Sequence, residues 1–398
     1  MMNEEKKRDV LIAGAGIGGV AAAIALAQAG HNVKIFEQAA ELGEIGAGMH
    51  FTPNATRVLG ALGVLEDCIS IGVVPDEIQM RMFDTDEVIL GGPASQLEEH
   101  FGSPYLVIHR ADIHNVLSAK LLEVAPDSVV LNARVEGYSE DDSGVTLHLA
   151  DGREFTGDLL VGADGIKSAV RRCMNGENEA HWTGDVAWRL VVPVSDLPAG
   201  LVEPNVLLYS GPGAHITVYP LRDGTLVNFC GLVRSDPEWR TEDTWIAQEP
   251  WEMLKADFAG WSDTIQALVD VADRDGCTRW ALYDHLPISN WSSNRVTLLG
   301  DSAHATLPYL GNGGGMALED AIVLTRALSQ EGEIPEALQL YQRNRLERTA
   351  MIRNESAENG RKLHDATSAE EVSAGVLSAH GVDMGWLLSY DAMKVELL

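Results

Sequence analysis

Asp9-Val10-Leu11-Ile12-Ala13-Gly14-Ala15-Gly16-Ile17-Gly18-Gly19-Val20, continued through alanines to Gly30 and then His31-Asn32-Val33-Lys34-Ile35-Phe36-Glu37, decides the fold. The apolar run 10–13 fits a buried parallel strand, and the alanine-rich stretch 20–29 has the length and propensity of a helix, stopped by Gly30. Gly14, Gly16 and Gly19 stand in GxGxxG register: the first permits a tight turn, the second lets a pyrophosphate approach the backbone, the third lets the helix pack against the strand. Unpaired N–H groups at the helix start meet phosphate charge. Glu37, ending the second strand, can accept both hydroxyls of an adenosine ribose, and an acid there argues against a 2′-phosphate. A glycine-rich turn alone is common, but strand, helix, second strand and terminal acid in order mark a dinucleotide site. FAD and NAD are both open on these residues.

The rest of the chain bounds what such a site serves. Its 398 residues allow two or three domains, and 45% hydrophobic and 22% charged residues are ordinary for a soluble globular protein. A formal net charge of -30 repels nucleic acid and anionic membrane surfaces, so an anionic substrate must meet a local cationic or dipolar site. Cys68, Cys173, Cys230 and Cys277 are far apart, with no CxxC pair, no zinc spacing and no compact disulfide framework. That fits a reduced, cytoplasmic compartment and counts against the disulfide-oxidoreductase branch of flavoproteins. Residues 1–8 are polar and charged and lead into the glycine motif in place of a cleavage site, and no apolar segment reaches the ~20 residues of a membrane span.

Beyond Glu37, Gly46-Ala47-Gly48-Met49-His50 belongs to a glycine-spaced loop that enters a helix over 55–62. Gly46 and Gly48 suit close approach of the backbone to something flat or bulky, and His50 is the first side chain of chemical interest. Residues 78–89 read as strands of a small sheet, and His109-Arg110-Ala111-Asp112 opens a helix with Asp112 as N-cap. Arg110 at that entrance can reach a phosphate or pair with a surface acid. Segments 129–132, 135–140 and 145–149 alternate like strands of one hairpin layer. The run from Asp158 returns a buried strand to the nucleotide sheet and turns at Asp164-Gly165 into a helix, a second phosphate-facing turn.

Segments 187–194, 206–210, 215–221 and 225–233 then read as antiparallel strands of a separate substrate-side sheet, extended by the helical stretch 251–272. Period-two geometry puts His215, Thr217 and Tyr219 on one strand face and Ile216 and Val218 on the other. The polar face is either the solvent side of the sheet or the wall of a polar cavity. A buried strand ends at Gly300-Asp301, Pro308 lies in the loop after it, and Gly313-Gly314-Gly315 starts a long helix. Its unpaired N–H groups can face a cofactor oxygen that becomes negative on reduction. Residues 334–357 read as a salt-bridged exterior helix, and the tail beyond Gly360 says little about function. The whole is an α/β fold: a Rossmann-like nucleotide domain from 1–75, 104–180 and 275–345, a β-sheet substrate domain from 76–103 and 181–274, and a C-terminal helical segment 346–398.

Gly14 to Gly19 with Glu37, Asp164-Gly165 in its turn, and Gly300-Asp301 before the glycine-rich helix stand in one order, and over residues 9 to about 345 the chain resembles the single-component FAD-dependent aromatic hydroxylases, the para-hydroxybenzoate hydroxylase class. The resemblance implies a Rossmann-like FAD-binding domain in which Gly14, Gly16 and Gly19 meet the adenosine and pyrophosphate, Glu37 the ribose, and Asp301 the ribityl and pyrophosphate region. It places Asp164 and Gly165 at FAD and the passing nicotinamide cofactor, and Arg110 at a phosphate. Pro308 matches the proline whose carbonyl lies near flavin carbon 4a. With one dinucleotide fold, NADH or NADPH is a cosubstrate without its own domain, NADH being favoured. Gly46 to His50 and His215 to Tyr219 resemble the subgroup of salicylate, 3-hydroxybenzoate 6- and 6-hydroxynicotinate hydroxylases, although Asn312 stands where a glutamine is common.

The chemistry implied is reduction of FAD by NAD(P)H, reaction with O2 to the flavin C4a-hydroperoxide, and oxygen transfer to an electron-rich phenolic or hydroxypyridine ring, with or without decarboxylation or side-chain loss. The cofactor does the hard chemistry, and the protein excludes water and removes the ring hydroxyl's proton. His215 is the candidate base, because imidazole titrates near working pH, with Tyr219 as a relay or orienting group. His50 is a candidate for a ring nitrogen or a carboxylate, and His304 reads as a structural loop residue. The alternatives are an FAD-dependent reductase or oxidase on this scaffold, or a nucleotide-binding regulator without turnover. A monomer or homodimer with neither nucleic-acid nor membrane partners is expected.

Overall fold

The computed structural model describes residues 7–43, 46–176, 180–235, 246–366, 368–371 and 384–398. Val10, Leu11, Ile12 and Ala13 are buried on both faces of the strand Asp9–Ala13, which runs parallel to Asn32–Phe36 on one side and Leu159–Gly162 on the other. That is the environment an unbroken apolar run requires. Val296–Leu298 and Val129–Val130 complete a five-stranded parallel sheet at its two edges. Its core is closed by apolar residues of the helices Ile17–Gln28, Arg110–Val124 and Gly313–Gln330. Gly14 has φ +94, and a β-carbon on Gly19 would stand 2.0 Å from the Gly14 carbonyl oxygen, so turn and helix come together only with glycine at both places.

Val129–Val130 leaves the expected hairpin layer. The amides of Ile35 and Glu37 donate to the carbonyls of Ser128 and Val130, which makes this segment the edge of the parallel sheet. The antiparallel layer consists of Val135–Glu140, Val145–Leu149 and Glu154–Gly157.

An eight-stranded sheet has the order Ile246–Gln248, Thr278–Asp284, His181–Pro193, Leu226–Arg234, Ala214–Leu221, Val206–Gly211, Glu77–Met82, Val88–Pro93. It is antiparallel except where Val206–Gly211 runs beside Glu77–Met82. Trp188, Ile216, Val218 and Phe229 pack with Leu254, Phe258, Ile265 and Leu268. The stretch 251–272 is therefore two helices, Trp251–Asp257 and Asp263–Asp270, separated by a turn at Gly260 with φ +80, and they bury the outer face of the sheet. The opposite face, with Tyr219 and Asn228, meets the nucleotide domain at Gly48.

The helix Ile334–Asp365 is not an exterior helix. Arg345 is wholly buried, its Nε donating to Asp320 Oδ1 at 2.6 Å and its NH1 lying 2.9 Å from Glu319 Oε2. Arg348 pairs with Glu319 at 2.7 Å, while His304 Nε2 (2.5 Å) and the Gly300 amide (3.0 Å) both meet Asp320 Oδ2. Arg345 and Arg348, three residues apart on the long helix, thus serve a buried network that fastens the Gly300-Asp301 turn and the glycine-started helix to the long one. Burial pushes the Asp320 carboxyl up, but His304 and Arg345 outweigh it and hold it at about 2.

Asp320→Asn leaves Arg345 buried without a carboxylate at its Nε and is expected to cost ~3–5 kcal/mol, read from urea unfolding. Because the folded pKa is the lower one, the carboxylate's stabilisation is complete above about pH 4 and disappears as pH falls toward 2. The variant's acid-unfolding curve should lack that component. Among the described residues no helix is long and apolar enough to cross a membrane.

Candidate active site

No side chain caps the first amides of Ile17–Gln28, and none caps those of Gly313–Gln330, which begins with Gly313 and Gly314. Both helix starts present N–H groups to anionic oxygens. Glu37 accepts from the amides of Ala15 (3.0 Å) and Ala39 (2.9 Å), one on each carboxylate oxygen, so it is held at the strand end with acceptor capacity left for ribose hydroxyls. His114, which the sequence reading passed over, buttresses the same loop by donating from Nε2 to the Ala15 carbonyl at 2.6 Å.

Asp164 turns its carboxylate inward. Oδ1 accepts from the hydroxyls of Ser168 (2.5 Å) and Ser302 (3.3 Å), and Oδ2 from the amides of Ala169 (2.7 Å) and Val170 (3.2 Å). These bonds anchor the helix Ala169–Asn175 and stiffen the turn, where Gly165 has φ +76 and open space in the β-carbon direction. Asp301 is exposed, and its carboxylate has no hydrogen-bond partner among the described residues. Arg110 begins its helix with its stem against Gly46. The cap there is His109, whose Nδ1 accepts from the Ala111 amide at 3.2 Å, and not Asp112, whose two oxygens are each taken by Arg222 at 2.8 Å. Two uncapped helix starts, an anchored acid at the second strand and an open glycine at the Asp164 turn suit FAD.

Tyr219 and His215, 3% and 2% exposed, are too buried for a solvent-side face. A β-carbon on Gly48 would stand 2.4 Å from the Tyr219 ring, and the Gly48 amide donates to Asn228 Oδ1 at 2.7 Å, so only glycine lets the loop lie on this wall. His50 stacks on Tyr219 with centroids 5.9 Å apart and planes 14° apart, and its Nδ1 is 2.6 Å from the Tyr105 hydroxyl. Its Nε2 lies against Gly311, where a β-carbon would come within 1.9 Å. Both ring nitrogens of His50 therefore face protein, and burial lowers its pKa to about 4. Pro308 opens the adjoining 3-10 turn Pro308–Leu310, and its carbonyl accepts from the Gly311 amide at 2.8 Å. Asn312 is buried and turned toward Asn54 and Thr52, away from this wall.

His215 Nδ1 lies 2.9 Å from His364 Nε2, and the Tyr309 ring packs beside it at 5.2 Å. The Tyr309 hydroxyl donates to Asp185. His215 Nε2 has no hydrogen-bond partner among the described residues. Burial, then the neighbouring His364, push His215 well below its ordinary pKa. Further along the same face Thr217 pairs with Cys230, and Cys230 with Arg189. The Arg189 guanidinium lies over Trp280 at 5.0 Å and has no ion-pair partner among the described residues. His364, Tyr105 and Asp185 were not singled out from the sequence. His364 sits in a charged helix end 149 positions from His215, and no local spacing announces such a contact.

Residues 7–356 match the family described as FAD binding domain. The chain is 38% identical over 358 residues to 3-hydroxybenzoate 6-hydroxylase of Polaromonas naphthalenivorans (strain CJ2), covering 89% of this chain and 88% of that one. It is 32% identical over 357 residues to 6-hydroxynicotinate 3-monooxygenase of Bordetella bronchiseptica, with 89% and 91% covered. Its fold matches a salicylate hydroxylase substrate complex with a TM-score of 0.82 and 28% identity, over 98% and 97% of the two chains. With a cradle that suits FAD and relatives matched over nearly their full length, the chain belongs to the flavin-dependent aromatic monooxygenases built on this FAD-binding domain.

Proposed function

We propose that this protein hydroxylates the phenolic or hydroxypyridine ring of a small aromatic acid, using O2 and NADH or NADPH, with His215 removing the proton of the ring hydroxyl. The observation that carries this reading is the state of His215: buried on the inner sheet face, engaged at Nδ1, and without a hydrogen-bond partner at Nε2 among the described residues. Bound FAD takes the reducing equivalents and activates oxygen. What the chain's own residues do is bind, orient and deprotonate the ring. A pKa below the ordinary histidine value keeps His215 neutral, and so able to accept a proton, at neutral pH. Burial holds Tyr219 well above its ordinary value, so its hydroxyl stays protonated and can orient a ring substituent by donating to it. His50, set between Tyr105, Tyr219 and Gly311, supports the Pro308 turn against the sheet.

A carboxylate entering a chain of net charge -30 needs a local cation, and Arg189 on the same face is suited to meet it. Arg189→Met is expected to raise KM for a ring acid ~10-fold or more with a smaller change in kcat, the signature of lost uniform binding. A neutral ring analogue should be unaffected. Equal effects on both ligands would remove Arg189 from this role.

The test of the function is a panel of salicylate, 3-hydroxybenzoate, 6-hydroxynicotinate and related 3-acyl hydroxypyridines. NADH oxidation should be slow alone and accelerate with a productive ring, and oxygen uptake should match the hydroxylated product. Oxidation that no ring accelerates, or that yields no hydroxylated product, would favour a reductase or oxidase.

A further inference from the structure

We propose that His364 and Asp185 carry the substrate's proton from His215 to solvent, so that the end of the long C-terminal helix completes the deprotonation machinery. The proposal rests on the reading of His215 as the base. His364 acts through His215 and does not touch the ring.

The groups form a graded path. His215 Nδ1 is 2.9 Å from His364 Nε2, and His364 Nδ1 is 3.9 Å from Asp185 Oδ1, a gap that a small shift or one water closes. The His364 side chain is buried, whereas that of Asp185 is 18% exposed, so the path runs from interior to rim. Asp185 is fixed there by the Tyr309 hydroxyl, whose ring also packs edge-on to His364 at 5.7 Å. The charged and titratable groups facing His364 are His215 and Tyr309, Asp185 from the strand His181–Pro193, Arg234 from Leu226–Arg234, and Asp365 on its own helix. Burial lowers the His364 pKa, Asp185 and Asp365 raise it, and Arg234 opposes them, which keeps His364 neutral at rest and next to a carboxylate that favours a passing proton.

The transfer balances without an oxidant or reductant. The ring O–H bond breaks, its electron pair stays on the ring oxygen, and the proton joins His215 Nε2. The Nδ1 proton of His215 passes to His364 Nε2, and the Nδ1 proton of His364 passes to Asp185, which releases it to water at the rim. Both imidazoles end neutral with their tautomers exchanged, so no imidazolium is stranded in a site where burial disfavours it. Packing alone does not require the His364 side chain. Its helix end is already held through main-chain carbonyls, with Ser210 Oγ donating to Leu363 at 3.0 Å and the Gly213 amide donating to His364 at 2.8 Å.

The test uses FAD-loaded enzyme mixed in stopped flow with the ring acid of the panel that best accelerates NADH oxidation. A pH indicator follows proton release, and ligand absorbance follows formation of the ring oxyanion. His364→Gln keeps a hydrogen bond to His215 but passes no proton. It should slow both signals by about 100-fold, the low end for a proton-transfer group, and added imidazole should recover part of the rate. His215→Asn should instead prevent the oxyanion from forming at that pH. Wild-type release and an unchanged pH profile in His364→Gln overturn the relay while leaving the base assignment standing. Wild-type behaviour in His215→Asn overturns the base assignment itself. Should His364→Gln lose FAD or fail to fold, Asp185→Asn carries the test, with slowed release upholding the relay and wild-type release overturning it.

Discussion

His215→Asn should retain FAD and lose ~100-fold or more in hydroxylation, the usual scale for removal of a general base. Among the described residues the hydrogen-bond and ring contacts of His215 are His364 and Tyr309, away from the turns at Gly14, Asp164 and Asp301, so flavin content and folding should match the wild type. NADH consumption should continue and drain into hydrogen peroxide, because reduction of the flavin does not need the base while productive transfer to the ring does. The pH profile carries a second, independent readout. Activity requires His215 without its proton, so the wild-type rate falls as pH drops through a pKa that burial and His364 place below 6.5. Asparagine does not titrate, and that acid limb should vanish. A variant with coupled turnover at the wild-type rate and an unchanged acid limb removes His215 from the chemistry, and one without flavin shows a structural role.

Gly16→Leu should give a folded but colourless protein. Gly16 is the N-cap of Ile17–Gln28 with φ -70 and ψ 177, an extended conformation open to any residue, so the substitution adds no backbone strain. What it adds is a side chain where the glycine motif leads one to expect a pyrophosphate at the helix start. Its neighbours in the motif behave differently. A β-carbon on Gly14 would stand 2.4 Å from the Ala163 carbonyl oxygen at φ +94, so changes there should damage the fold and lower expression. The contrast separates cofactor loss from unfolding: circular dichroism and unfolding midpoint near wild type for Gly16→Leu, with flavin absorbance lost even after FAD is supplied. Full flavin content in that variant would remove Gly16 from the pyrophosphate site.

The nucleotide half of the molecule was legible along the chain because its information is local. An apolar run buried on both faces, glycines at fixed offsets and an acid at the next strand end specify strand, turn, helix and strand within the first 37 residues, and the same logic located the strand-to-helix turn at Asp164 and the strand end at Gly300-Asp301, though not the short helix Asp301–His304 that follows it. Alternation in the strand Ala214–Leu221 placed His215 and Tyr219 on one face, since side-chain direction has a period of two in any strand. It left open which face met water. That depended on the two helices that cover Ile216 and Val218 and on the Gly48 loop that closes over Tyr219.

Where charge patterns suggested an exterior helix, tertiary structure reversed the reading. Arg345 is charged yet wholly buried, because Glu319 and Asp320 on another helix compensate it, and a charge count along one helix contains no record of such a partner. Asp112 reads as a cap until Arg222, 110 residues away, takes both its oxygens. The pairing of His215 with His364 across 149 residues is the furthest from local legibility. Periodicity fixes where a side chain points from its own backbone. Which distant side chain it meets is chosen by the docking of whole elements, here the helix end bound through the Leu363 and His364 carbonyls to the sheet.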